Sequence, residues 1–162
     1  MARKVFFSFH YERDSHRVSQ IRECNSITQH FIKTPFLPKS EWESIERTGP
    51  IAIKKWIDSN MEGTSVVILC FGLETHLRPW VKYELEKAHK EKRGIIAVNM
   101  NGMKTMSHQV DLPSTNPLNN AFDQNGIELI RYSAYLTYHW INDDGRNNIN
   151  NWVETAAQLV GR

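Results

Sequence analysis

Cysteine is nearly absent from this chain: of 162 residues only Cys24 and Cys70 carry a thiol. Two cysteines cannot build the disulfide framework of a small secreted scaffold. Cys70 also falls in the most apolar stretch of the sequence, where a free thiol behaves as a small hydrophobe. Long hydrophobic runs are missing too. The longest, Val66–Phe71, is far shorter than the roughly 20 apolar residues a membrane-spanning helix needs. Charge of one sign is lacking, with 20 basic residues against 18 acidic ones and a net charge of +2, so no electrostatic footprint for nucleic acid stands out. The densest basic stretch, residues 87–93, is interleaved with glutamate and reads as a solvated helix face. The N-terminal Met-Ala-Arg-Lys leads straight into Val5-Phe6-Phe7, too short an apolar region for a signal peptide. The expectation is a cytoplasmic protein with no membrane and no nucleic-acid partner.

Several signatures of α/β proteins are also missing. There is no Gly-x-Gly-x-x-Gly after the first strand and no Gly-x-x-x-x-Gly-Lys-Ser/Thr, so neither a dinucleotide-binding loop nor a P-loop is available. A phosphoacceptor domain would place aspartate at the end of its central strand, where this chain has Phe71-Gly72. No Gly-x-Ser-x-Gly elbow occurs, which removes the usual serine hydrolase. The histidines, at 10, 16, 30, 76, 89, 108 and 139, show no paired spacing with cysteine or acidic residues, and no metal site is expected.

What remains is an ordinary globular composition, 23% charged and 40% apolar, in a length that buries roughly two-thirds of its unfolded surface. Residues 1–162 are expected to form one domain. Residues 4–9 read as a strand, followed by a helix to about residue 25 capped by Asp14 or Ser15. Residues 31–47 read as irregular, with a short strand near Phe36 and a loop carrying Trp42. Thr48-Gly49-Pro50 starts a clearer helix with Ile53, Trp56 and Ile57 as its stripe. Residues 65–71 and 95–98 are unbroken apolar strands of the kind buried on both faces of a parallel sheet. Residues 100–128 form a long connection, a short strand is expected at 129–132, and residues 149–160 match an amphipathic helix. Alternating strands and helices predict an α/β, flavodoxin-like, doubly wound and mainly parallel sheet of about five strands flanked by helices. In such sheets ligands sit beyond the strands' carboxyl ends, between the first and third strands.

One residue in that region is out of place. Glu84 follows the central strand on a helix where Trp80, Val81, Glu84, Leu85 and Ala88 share an arc of about 140°. A carboxylate there loses water, and its charged form is disfavoured unless donors or a cationic ligand meet it. The plainer account is a glutamate that snorkels to solvent or pairs with a lysine. The sharper one is a catalytic glutamate that stabilises an oxocarbenium-like centre as a glycosidic bond breaks. That chemistry is easiest when the departing base is already cationic, as nicotinamide is in NAD. Tyr11, Trp42 and Trp80 could stack on flat bases. Ser8, Phe9, His10 and His76 complete the candidate substrate contacts, from the loops after the first and third strands.

Four segments then carry a resemblance to the TIR domain, more narrowly to the TIR-like proteins of the bacterial Thoeris antiphage defence system. They are Val5-Phe6-Phe7-Ser8-Phe9-His10-Tyr11; Trp42-Glu43 with Thr48; Trp80-Val81-Lys82-Tyr83-Glu84; and Trp140-Ile141-Asn142-Asp143-Asp144-Gly145. The Trp-x-x-x-Glu segment looks like the one bearing the catalytic glutamate of TIR enzymes that cleave NAD, which implies that role for Glu84. The resemblance implies NAD as substrate with no other cofactor, release of nicotinamide, and a cyclic or conjugated ADP-ribose signal that activates a separate effector. It also implies a phage-derived trigger and allows self-association. The loop at 33–47 and residues 100–128 do not clearly match the family pattern. Two other readings stand beside the enzyme: a TIR adaptor without activity, and a nucleoside deoxyribosyltransferase, which also employs a glutamate.

Overall fold

The computed structural model describes residues 2–35, 37–105 and 107–162. Its centre is a five-stranded sheet in the order β2-β1-β3-β4-β5, formed by β1 (Arg3–Ser8), β2 (Phe31–Lys33), β3 (Val66–Phe71), β4 (Gly94–Asn99) and β5 (Leu136–His139). Every pairing is parallel: β1 aligns Val5 with Val66 and Arg3 with Phe31, β4 aligns Ile95 with Val67, and β5 aligns Leu136 with Ile96. This is the flavodoxin-like order. β3 is buried along its whole length, as a strand covered by helices on both faces must be.

Side-chain alternation divides the core in two. Val5, Phe7, Val66, Ile68, Cys70, Ile96 and Val98 face α1 (Tyr11–Arg22), α2 (Asn25–Thr28) and α6 (Gly145–Leu159). Phe6, Val67, Leu69, Phe71, Ile95 and Ala97 face α3 (Lys39–Thr48), α4 (Pro50–Met61) and α5 (Pro79–Lys90). The sheet and α6 approach closely at Gly94, where a Cβ would lie 2.7 Å from the Ala156 carbonyl oxygen.

Several local expectations need correction. α1 begins at Tyr11 and is capped by His10, whose Nδ1 accepts from the Arg13 N–H at 3.3 Å. Asp14 is instead inside the helix, fully buried and ion-paired. Trp42 lies on helix α3 and not on a loop, because Trp42 and Ile45 share a face that packs with α4. The second strand in sequence is β2 at Phe31–Lys33, held by its pairing with β1; Phe36 lies outside the described residues. Leu129–Arg131 is a 3₁₀ turn whose Leu129 N–H bonds the Ala121 carbonyl and whose side chain enters the core. The fifth strand follows it, at Leu136–His139.

Because β2 and β3 lie on opposite sides of β1, the connections after β1 and β3 leave in opposite directions and open a crevice at their carboxyl ends. α1 and α5 both start there.

Candidate active site

Glu84 sits where the helix periodicity puts it. Pro79 occupies the first turn of α5, with Arg78 extended before it. Val81, Glu84, Leu85 and Ala88 are buried while Lys82 and Lys90 are exposed. The Glu84 side chain neither snorkels nor pairs with a lysine: the residue is 7% exposed, Lys87 is taken by Glu91 and Asp58, and Lys82 lies over the Phe122 ring. Burial pushes the Glu84 carboxyl well above the ordinary carboxylate range, and the Ser8 hydroxyl opposes this only in part. That hydroxyl is fully buried and has no partner in hydrogen-bonding geometry, so it faces the carboxyl without being committed to it.

The carboxyl opens into a cavity whose aromatic wall is Phe6, Phe9, Tyr11, Trp42, Trp56 and Trp80, with Arg78 and Val81 from the start of α5. The rings form a continuous stack. Phe9 lies on Tyr11 at 4.6 Å between centroids, Tyr11 on Trp42 at 4.7 Å and 13°, and Trp56 meets Trp42 edge-on at 5.6 Å. Offset or edge-on contacts of this kind contribute roughly 0.5–1.5 kcal/mol each beyond area burial. The Tyr11 hydroxyl accepts the Leu37 N–H at 3.1 Å, which ties the chain entering α3 to the start of α1. The enclosed volume is about 30 Å³, space for a water or two, because Trp42 covers one face of Tyr11.

The structure therefore brings Glu84, Phe9, Tyr11, Trp42 and Trp80 together around one cavity. Ser8 stands behind it, next to Glu84. His10 and His76 do not line it. His10 is buried as the α1 cap, and burial followed by the nearby Arg78 charge pulls its pKa down, leaving a neutral ring whose Nδ1 is the acceptor. His76 lies in the 3₁₀ turn Thr75–Leu77, with Nδ1 buried and unpartnered. Trp56 and Arg78 were not anticipated. Trp56 reads from sequence as one more residue of a helix stripe, and Arg78 as one more surface cation.

A second, larger cavity of about 720 Å³ shares Tyr11 and runs between α1, Leu37–Lys39 and a wall that includes Thr105, Ser107 and Gln109 to Leu112. Its charged floor is already satisfied. Asp111 accepts from both terminal nitrogens of Arg13 at 2.9 and 2.5 Å, from Arg17 at 2.8 Å and from the Leu73 N–H at 3.2 Å. Arg17 also pairs with Asp14 at 2.5 Å. Hydrogen bonding from Arg13 holds the Asp111 carboxyl below its usual range. A carboxylate so neutralised has little left for a substrate, so volume and chemistry point to different cavities and the chemistry favours the one at Glu84. Among the described residues no group of three or more His, Cys, Asp or Glu could hold a metal ion, and no helix is long and apolar enough to cross a membrane.

The strand order, with an acidic residue sunk in aromatic rings on the helix after β3, is the architecture of a TIR-like α/β domain. Over residues 6–105 the chain matches the family described as "Thoeris protein ThsB, TIR-like domain", and it belongs to that family. Among its relatives is a protein of Bacillus cereus (strain MSX-D12), 27% identical over 191 aligned residues that cover 94% of this chain and all of the relative. That protein is named "Putative cyclic ADP-D-ribose synthase ThsB1".

Proposed function

We propose that this protein is an NAD-cleaving enzyme of antiphage signalling, which releases nicotinamide and converts the remaining ADP-ribose into a cyclic or conjugated messenger for a separate effector. The observation that carries the reading is the Glu84 carboxyl, 7% exposed and without an ion pair among the described residues, at the end of an aromatic cavity. An unpaired buried carboxylate opposes folding, and it is tolerated where its charge is needed with substrate present. The B. cereus relative's name supports the same product class.

The N-ribosyl pyridinium of NAD carries its own positive charge. Entering the cavity, that charge would favour the ionised form of Glu84, which burial disfavours in the empty site. The carboxylate then faces the anomeric carbon. As the carbon–nitrogen bond lengthens, the bonding pair leaves with nicotinamide, and the cationic sugar is stabilised by Glu84 until water or a nucleophile of the same molecule adds. No proton need be given to the leaving group. Tyr11 and Trp80 supply flat faces for the base, and its entry requires Trp42 to leave the Tyr11 face, since the cavity holds about 30 Å³ with Trp42 in place. The reaction belongs in the cytoplasm, where NAD is available.

The test is to incubate the protein with NAD, with and without extract of phage-infected cells, and to separate the products by mass. Nicotinamide together with a cyclic or conjugated ADP-ribose is expected. NAD left intact under both conditions, with binding to other TIR domains instead, would assign the chain to the adaptors. Base exchange between nucleosides without NAD turnover would assign it to the deoxyribosyltransferases.

A further inference from the structure

We infer that Arg78 and the amino end of α5 form a phosphate seat at the mouth of the Glu84 cavity, and that this seat selects a nucleotide over a nucleoside. The inference rests on the reaction proposed above and adds the residue that recognises the substrate's charged half. Arg78 lines the same cavity as Glu84 and is half-buried. The other arginines that are not exposed are committed: Arg3 to Glu154, Arg13 to Asp111 and Glu74, Arg17 to Asp14 and Asp111, Arg22 to the Thr34 carbonyl, and Arg93 to Glu91 and the Met61 carbonyl. The Arg78 guanidinium has no hydrogen bond or ion pair among the described residues.

The backbone at the same place is also unsatisfied. α5 is a twelve-residue helix with Pro79 at its first turn. The Lys82 N–H closes on the Arg78 carbonyl at 3.3 Å, while the N–H groups of Trp80 and Val81 find no acceptor among the described residues. Free amides at a helix start, with the positive end of its dipole, favour an anion, and a guanidinium beside them offers bidentate contact to phosphate. One buried side chain that lines the cavity independently marks it as a ligand site. Glu84 is 7% exposed and has no ion pair among the described residues, with only the Ser8 hydroxyl beside its carboxyl. Glu84 stands one helical turn after Trp80, about 6 Å along the axis. That is close to the span between the anomeric carbon of a ribose and its 5′ phosphate. A pyridine nucleotide can thus set its scissile carbon at Glu84 and its first phosphate at Arg78.

The experiment compares wild type with Arg78→Gln on NAD, nicotinamide mononucleotide and nicotinamide riboside. It also measures ADP-ribose and inorganic pyrophosphate binding by calorimetry to Glu84→Gln, with and without Arg78→Gln. Arg78→Gln is expected to raise KM for the two phosphate-bearing substrates roughly 10- to 100-fold, the value of a charged hydrogen-bond pair. The riboside should be turned over as by wild type, Arg78→Lys should recover part of the loss, and the melting temperature should not move. Equal loss on all three substrates, or no loss on any, overturns the inference. If wild type leaves NAD intact yet ADP-ribose binding still weakens with Arg78→Gln, the proposed reaction is wrong and the phosphate seat stands. ADP-ribose binding that is indifferent to Arg78, or absent, removes the seat. Pyrophosphate held as tightly as ADP-ribose would make it a site for free phosphate and overturn nucleotide selection.

Discussion

At the carboxyl edge of the sheet Glu84 and Asp111 are both buried, yet Asp111 receives two guanidinium groups and a backbone N–H while among the described residues Glu84 has only the Ser8 hydroxyl beside it. The two environments drive their carboxyls in opposite directions. Arg13 holds Asp111 below its ordinary range, and burial lifts Glu84 above its own. Paired charge of the first kind ties Asp111 to α1 and to the turn after β3. Unpaired charge of the second kind holds nothing together. The contrast teaches where each residue's cost is recovered: Asp111 within the folded chain and, on the proposed function, Glu84 when substrate enters.

The strongest way to break this contrast is Glu84→Gln, which keeps shape and removes charge. Nicotinamide release should fall roughly a hundred- to a thousandfold, as when a transition-state charge contact is lost. Stability should move the other way. A raised folded pKa means that wild type loses stability as pH climbs from the ordinary glutamate value of 4.5 through the folded one. The melting temperatures of variant and wild type should therefore coincide near pH 4 and separate by pH 8, the variant being higher; equal melting at both pH values would show that Glu84 is not strained.

Asp111→Ala should do the reverse, leaving Arg13 and Arg17 without their shared partner and costing about 3–5 kcal/mol in urea unfolding at neutral pH. A depressed folded pKa gives stability that is complete above the ordinary aspartate value of 3.8 and is lost as pH falls through the folded one, so the variant's deficit should shrink in acid. Gly72→Ala probes the same cluster from the backbone. A Cβ there collides with the Arg17 guanidinium and lies 2.9 Å from Asp111 Oδ2, with an expected loss of about 1–3 kcal/mol. The smallest effect belongs to Tyr11→Phe, which removes the acceptor of the Leu37 N–H and should cost about 1 kcal/mol. A larger loss would mean that the α3 entry depends on that bond more than on the ring stack.

Much of this architecture was legible beforehand because it is written in local periodicity. β3 and β4 are continuous apolar runs, and α5 and α6 repeat apolar residues at helical spacing, so their boundaries lay within a residue or a few of expectation. α3 escaped because only Trp42 and Ile45 mark its inner face among Lys, Glu, Ser and Arg. β5 escaped because Leu136 and Thr137 are exposed on an edge strand, whereas Leu129, which looks like a strand residue, is an anchor for a turn. Of the site, Glu84 and the rings of Tyr11, Trp42 and Trp80 were visible as residue types in suitable places. Trp56 and Arg78 gave no sign, since nothing in a sequence distinguishes a cation with a partner from one without.

Sequence alone determined the parallel α/β plan and the place of Glu84 among apolar residues on one arc of its helix, since both follow from spacing between near neighbours along the chain. Only tertiary structure decided that Glu84 is buried without a counter-ion among the described residues, that Trp42 closes its cavity over Tyr11, and that Asp111 reaches back 98 residues to Arg13 and 94 to Arg17. Those outcomes depend on which distant groups meet once the sheet has assembled. Spacing along a chain says which side chains are withdrawn from water; only the assembled fold says what each of them finds there.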